Sequence, residues 1–230
     1  MAKEGDPKNV IQSLERAPRL QDADLYLFQE VRQDSGKPSV AEQAAQKQGY
    51  FAAFRPSPGF TDQGLAIVSR YPLTNIAVTP LKAYDLRFHS RNRFALAATM
   101  KTPWGDVRVW NVHLDTRINA NERLAQLQPV LEAMKLYRGR KLIGGDFNTN
   151  SFHWVGNVFP IPFAQPQGSA VQDTMKQLGF ESPLALDVTT HPLLHSHLDW
   201  IFLSDLKAVG ASVEPAAFSD HNAVWVQAQM

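Results

Sequence analysis

Short apolar runs that each stop at an acid, an amide or a histidine set the tightest limit on how this chain folds. Leu25-Tyr26-Leu27-Phe28 ends at Gln29-Glu30, and Leu142-Ile143-Gly144-Gly145 ends at Asp146 and Asn148. Gly64–Ser69, Phe94–Met100, Val107–Leu114, Lys141–Gly145, Leu198–Leu203, Val209–Val213 and Ala223–Val226 have the same short, apolar character. Runs of this length bounded by turn residues read as buried strands. The turn Thr102-Pro103-Trp104-Gly105 joins two of them. Between the strands lie helix signals. Asp6-Pro7 is a cap followed by a first-turn proline, with Val10, Ile11 and Leu14 on one face. Ser39-Val40-Ala41-Glu42 is a capping box whose helix closes at Gly49. A helix over Asn121–Tyr137 carries Leu124, Leu127, Leu131 and Met134, with a kink expected at Pro129. Strands and helices interleaved in this way, with hairpins as well as crossovers, predict a layered α/β fold with mixed sheets.

Composition narrows the class. With 230 residues, 44% hydrophobic and 20% charged, the chain is an ordinary globule, and it hides roughly 72% of its unfolded surface on folding. No repeat, low-complexity tract or linker interrupts it, so residues 1–230 read as one domain. The absence of cysteine excludes disulfides, thiolate metal sites and thiol catalysis. No apolar run reaches the ~18–20 residues of a membrane span. Met1–Asp6 lacks the apolar core of a signal peptide. The cytoplasm is the default expectation, with room for a signal or anchor upstream of Met1. A net charge of +1 confines any polyanion contact to local patches.

The polar residues at strand ends carry the chemistry. They are Glu30, His113, Asp146 with Asn148, Asp199, and Asp220 with His221 opening the last strand. Any one of them alone is ordinary. Brought together they make an electrostatic demand, because two carboxylates ~4 Å apart repel by about 4 kcal/mol at an effective dielectric of 20. Such a cleft binds a cation or takes up protons. Oxygen ligands without cysteine favour Mg²⁺, with Mn²⁺ as the second choice. Zinc fits less well, since His191, His195 and His197 read as a turn leading into a strand rather than as helical ligand pairs.

Taken in order, Gln29-Glu30, Gly64-Leu-Ala-Ile-Val-Ser-Arg70, Asn111-Val-His-Leu114, Gly145-Asp-Phe-Asn148, Leu198-Asp-Trp-Ile201 and Ser219-Asp-His221 resemble the endonuclease/exonuclease/phosphatase superfamily. The match runs from about residue 24 to 226. The resemblance implies a four-layer α/β sandwich of two mixed β-sheets flanked by helices, with the site at one rim. It also implies divalent-cation-dependent cleavage of a phosphoester without a covalent intermediate. On that basis Glu30 and Asp220 are metal-side carboxylates, Asp146 orients or deprotonates the attacking water, and Asn148 holds water or a phosphate oxygen. His113 and His221 face the scissile phosphate, and Asp199 orients one of the histidines.

One piece of the family pattern has no counterpart. The family's first strand ends in an asparagine, whereas here Met1–Asp6 is short and polar and Asn9 falls in the first helix. Incomplete sheet pairing is therefore expected, together with a chain shortened at its N-terminus. Two features bear on substrate. Arg87, His89, Arg91 and Arg93 alternate along one side of an extended segment, with Arg91 and Arg93 favoured as phosphate contacts beside the strand from Phe94. Phe147–Gln172 is free of charged side chains and contains Phe152, Trp154, Phe159 and Phe163. It reads either as a packed cover for a sheet edge or as an apolar lip for bases or lipid, with Trp154 the stacking candidate. Arg123 and Gln126 sit at helical spacing after His113, either facing the site or anchoring their helix. The leading expectation is a Mg²⁺-dependent phosphodiesterase or nuclease acting on a phosphodiester substrate such as nucleic acid, without an obligate protein partner. The alternatives are a phosphoesterase for phospholipid headgroups or sugar phosphates, and a catalytically impaired phosphate binder.

Overall fold

Every side chain from Phe94 to Met100 is buried, so this strand must be covered on both faces. The computed structural model describes residues 5–84, 92–162 and 167–229, with backbone only at 60 and 61. In chain order the first elements are α1 (Pro7–Arg16), β1 (Leu25–Arg32), α2 (Val40–Gln48), β2 (Phe51–Ser57), β3 (Phe60–Ser69) and β4 (Leu73–Pro80). There follow β5 (Phe94–Thr102), β6 (Gly105–His113), α3 (Ala120–Leu136), β7 (Lys141–Asp146), β8 (His153–Val155) and β9 (Phe159–Ile161). The last are α4 (Gly168–Gln177), β10 (Asp199–Ser204), β11 (Lys207–Glu214) and β12 (Ala223–Gln229).

The two faces of β5 enter different cores. Phe94, Leu96, Ala98 and Met100 meet Leu65 and Ile67 of β3 and Val107 and Val109 of β6, forming the layer between the sheets. Ala95 and Ala97 point outward with Trp110 and Val112, onto Leu127, Val130, Leu131 and Met134 of α3 and Val171 and Met175 of α4. On the far side, Val10 and Leu14 of α1 and Val40, Ala41 and Ala45 of α2 cover Tyr26, Phe28, Ala66 and Val68. These three apolar interlayers make the expected four-layer sandwich. The five-stranded sheet β10-β7-β6-β5-β4 is mixed, with β6 and β7 parallel. The three-stranded sheet β1-β3-β2 pairs antiparallel among the described residues.

Among the described residues no ladder joins β1 to the hairpin β11-β12, and a cavity of about 630 Å³ lies between β1 and β12. A polar bolt crosses the sandwich nearby. Asn111, fully buried on β6, donates through Nδ2 to the carbonyls of Phe28 (3.0 Å) and Ala66 (2.9 Å) on the opposite sheet. Its Oδ1 accepts from Gln29 Nε2 at 2.7 Å.

The helix signals held locally. Asp6 caps α1, and Ser39 and Glu42 cap α2 reciprocally, with Gly49 left-handed at φ 71°. The helix α3 starts one residue before the expected Asn121 and carries Pro129 inside it. The edge strands β2 and β4, the small hairpin β8-β9 and the helix α4 lie outside the sequence expectations. The two edge strands are largely exposed and so lack the apolar runs that mark inner strands. Asp220 and His221 do not open β12; they lie in the bend that precedes it.

Replacing Asn111 with Leu strips two buried carbonyls of their donor at ~1–3 kcal/mol each. Urea unfolding of Asn111→Leu is expected to show a loss of about 2–5 kcal/mol with an unchanged m-value.

Candidate active site

Three strands of the mixed sheet line up three polar residues in one row. The parallel register of β6 on β7 sets His113 opposite Asp146, and the antiparallel register of β10 on β7 sets Asp199 opposite the same Asp146. Opposed residues in a sheet share a face, so the backbone ladder alone brings these side chains together. Gly145 immediately precedes Asp146 at φ 135°, and a Cβ there would collide with the Val112 carbonyl. Only glycine lets β7 approach β6 this closely.

Side chains then fix the row. Asp146 is buried, and its Oδ1 accepts from the Asn148 backbone N–H at 2.8 Å while Oδ2 accepts from Asn148 Nδ2 at 3.0 Å. His113 Nε2 lies 3.3 Å from Asp146 Oδ2. Asn148 adopts a left-handed backbone, φ 53°, which asparagine tolerates better than most residues, and it also donates to the Leu114 carbonyl. Asp199 Oδ2 accepts from Thr190 Oγ1 at 2.7 Å and pairs with His221 Nδ1 at 2.8 Å. His221 is thus the histidine that Asp199 holds. Its ring packs edge-on against His191, centroids 4.6 Å apart.

These contacts shift the titrations. Burial and then the Asp199 charge push the Asp146 carboxyl up to about 7, against the opposing pull of His221, the Asn148 N–H and Arg93. For His221, burial acts against the charged form. The hydrogen bond and charge of Asp199, with Asp146 and Asp220, outweigh it and push the imidazole up to about 9.

The remaining expected residues fall around this row. Glu30 sits in a β-bulge, where the pairing of β1 with β3 slips between Phe28 and Val31, and its own φ is 52°. Bulges re-aim side chains, and this one gives Glu30 to a crevice that it shares with Arg93, Phe94 and His113. Asp220 is exposed beside His221. Arg87, His89 and Arg91 lie outside the described residues. Trp154 is on β8 and donates from Nε1 to Asn150 Oδ1 at 3.3 Å, while the Arg117 guanidinium lies 5.9 Å from its ring. The β8-β9 hairpin exposes Phe159 (70%) and Ile161 (51%), while Phe147 and Val171 of the same uncharged stretch are buried. His191 and His195 flank the short 3-10 turn Pro192–Leu194, which leads into β10 as expected.

Among the described residues, the carboxylates of Asp146 and Asp199 and the His221 ring have ligand atoms within 4.8 Å of one another, a set that could hold a metal ion. Neither Glu30 nor Asp220, the expected metal-side carboxylates, belongs to that trio. Carboxylate donors, one of them driven up by burial and then by its like-charged neighbour, are what a divalent cation relieves. Sequence reading missed Thr190, which donates to Asp199 and accepts from the Leu198 and Asp199 N–H groups. Its only signal was a threonine before the turn that leads into β10.

The His221 pairing makes stability depend on pH. The folded value near 9 exceeds the ordinary 6.5, so the gain is complete below pH ~6.5 and is lost as pH rises through 9. In metal-free buffer, unfolding between pH 6.5 and 9 is expected to show a decline of up to about 3 kcal/mol that His221→Gln flattens.

Comparison with known proteins places the fold. The model of the Endonuclease/Exonuclease/phosphatase family matches residues 3–221. An endonuclease/exonuclease/phosphatase from Beutenbergia cavernae is 19% identical with TM-score 0.75, covering 99% of this chain and 67% of that one. The human Nocturnin catalytic domain with bound sulfate is 19% identical with TM-score 0.70, covering 99% and 87%. The Neisseria 3′ phosphatase NExo bound to product DNA hairpin is 19% identical with TM-score 0.66, covering 98% and 96%. No curated protein matches the sequence. With the family model spanning nearly all of a four-layer sandwich that carries this row of residues, the chain belongs to the endonuclease/exonuclease/phosphatase family.

Proposed function

We propose that this chain is a divalent-metal-dependent phosphodiesterase that cleaves nucleic acid by direct attack of water on phosphorus. The observation that carries the reading is the Asp146–Asp199–His221 cluster at the ends of adjoining elements, with His113 beside Asp146. Two similar folds support nucleic acid and an anion as ligands: the NExo structure holds a product DNA hairpin and the Nocturnin structure a sulfate.

Each residue has a physical task. Asp146, with its carboxyl up near 7, accepts a proton from water at neutral pH far better than an ordinary aspartate. Asn148 holds both of its oxygens, so its orientation is set before substrate arrives. His221, kept as imidazolium by Asp199, stabilises charge that builds on the phosphoryl oxygens. Thr190 keeps Asp199 in place for that work. His113 donates to substrate oxygen from the opposite side of Asp146. Glu30, in the crevice beside His113, would hold the cation, Mg²⁺ or Mn²⁺, while Asp199 stays with His221. When bound, the cation supplies charge to a phosphoryl oxygen and to the leaving group.

A second reading rests on the hairpin. Phe159 and Ile161 stand exposed on β9, close to the loop that carries Asn148, which suits a phospholipid substrate at a surface.

Turnover of bis-p-nitrophenyl phosphate is expected to vanish in EDTA and to return with Mg²⁺ or Mn²⁺. Asp146→Asn should lower it roughly 10²–10⁴-fold with the fold intact, and Glu30→Gln should lower it by a comparable factor; full activity of either variant removes that residue from the mechanism. Cleavage of single-stranded DNA over phospholipid vesicles selects the first reading, and the reverse selects the second. With net charge +1, affinity for duplex DNA should fall with salt at a log–log slope no steeper than about −6, each phosphate contributing about −0.9.

A further inference from the structure

Arg93 is a largely buried guanidinium of which half is committed to the protein. Its side chain is 13% exposed, and Nε donates to Asp115 Oδ1 at 3.1 Å. That is its hydrogen bond among the described residues, so the two terminal nitrogens hold no protein acceptor there. They belong to the side chain that lines the crevice of Glu30 and His113. The Arg93 charge also reaches Asp146, where it favours the ionised carboxylate.

Asp115 is tied down more thoroughly than a salt-bridge partner needs to be. It is 2% exposed and lies two residues beyond His113. Its Oδ2 accepts from Gln126 Nε2 at 2.8 Å, and its backbone N–H donates to Gln126 Oε1 at 2.8 Å. Gln126 is fully buried, and its second amide hydrogen goes to the Lys82 carbonyl at 2.9 Å. From the next turn of α3, Arg123 donates to the Asp115 carbonyl at 2.7 Å. Asp115 is therefore gripped through backbone and carboxylate alike, with one oxygen left for Arg93.

We infer that Asp115, gripped by Gln126, is a positioning residue that aims the free fork of Arg93 at a phosphate group of the substrate in the Glu30–His113 crevice. Among the described residues the terminal nitrogens of Arg93 are not buried donors left without a partner, so they are open at the crevice, where an anion can reach them. Four N–H groups on two nitrogens in a planar fork match the two non-bridging oxygens of a phosphate. Holding only Nε leaves that fork whole. The inference rests on the phosphoesterase reading above and adds to it a grip on the substrate anion that is separate from the cation site.

The test uses inorganic phosphate, titrated calorimetrically in Mg²⁺ buffer, together with KM and kcat on bis-p-nitrophenyl phosphate. Arg93→Ala and Asp115→Asn are each expected to weaken phosphate binding and to raise KM about tenfold, with a smaller change in kcat. The double variant should be no weaker than Arg93→Ala alone, because Asp115 acts through Arg93. Additive losses in the double variant would overturn the inference. So would wild-type affinity in a folded Asp115→Asn protein, or failure of the wild type to bind phosphate. Should Asp115→Asn not fold, Gln126→Met takes its place: it removes the grip on Asp115 and must weaken phosphate binding in the same Arg93-dependent way, or the inference falls. A wild type that binds phosphate with this pattern yet hydrolyses no phosphoester refutes the hydrolase reading and leaves the phosphate grip standing.

Discussion

The ladder that joins β6, β7 and β10 is the constraint on which the rest of the site depends. It places His113, Asp146 and Asp199 in one row before any side chain has made a bond. A slip of one residue in either pairing would send Asp146 to the opposite face from its partners. Register in an inner sheet is strongly specified because both faces are buried, and here the outer face carries Trp110, Ile143 and Phe202 against α3 and α4. The apolar packing thus sets the geometry of the polar row. Gly145 belongs to the same constraint, since it allows the strands to close just where the acid begins.

Around that row the protein gathers buried charge of both signs. Asp146 and Asp199 face each other on paired strands, Asp115 sits behind His113, and Arg123 is wholly enclosed. Burial lowers the Arg123 guanidinium to about 10, still high enough to stay charged at neutral pH. It donates to the carbonyls of Asp115, Ile118 and Phe147 and to the side chain of Gln167. In effect it sews together the loop after β6 and the loop after β7, the two segments that carry Asp115 and Asn148. Removing such a group would leave several buried acceptors bare, which is why it reads as a fixture of the site wall rather than as a contact for substrate.

The covered strands and the capped helices were legible in the sequence because their signals are local. Leu25–Phe28, Phe94–Met100 and Lys141–Gly145 are apolar where the fold covers them, and Ser39 with Glu42 cap their helix through side chains three residues apart. The strand-end residues were legible for a related reason: a carboxylate after an apolar run has to be at a rim. What stayed hidden depends on pairing across the sequence. The Asp199–His221 bond spans 22 positions, and the Arg93–Asp115 bond also spans 22. The edge strands β2 and β4 have no buried face continuous enough to leave a pattern. Arg123 and Gln126 showed their spacing but not their burial, so anchoring and substrate contact looked alike until the hydrogen bonds separated them.

The hairpin β11-β12 gives the site an uneven foundation. Its strands pair only with each other among the described residues, and the cavity separates β12 from β1. It is fastened by Ala223 and Trp225 packing on the α1–α2 core, and by Arg19 to Glu214 at 2.7 Å, the Ala217 N–H to Ser13 Oγ at 3.1 Å, and the Asn222 N–H to the Thr190 carbonyl at 2.7 Å. Elements held this way open at lower free energy than those inside a continuous ladder. His221 is carried on the bend just before β12, whereas Asp146 and Asp199 are welded into the mixed sheet. The Asp199–His221 pair therefore stitches the mixed sheet to a bend that leads into a separate hairpin, and its two partners reach the site by different ladders.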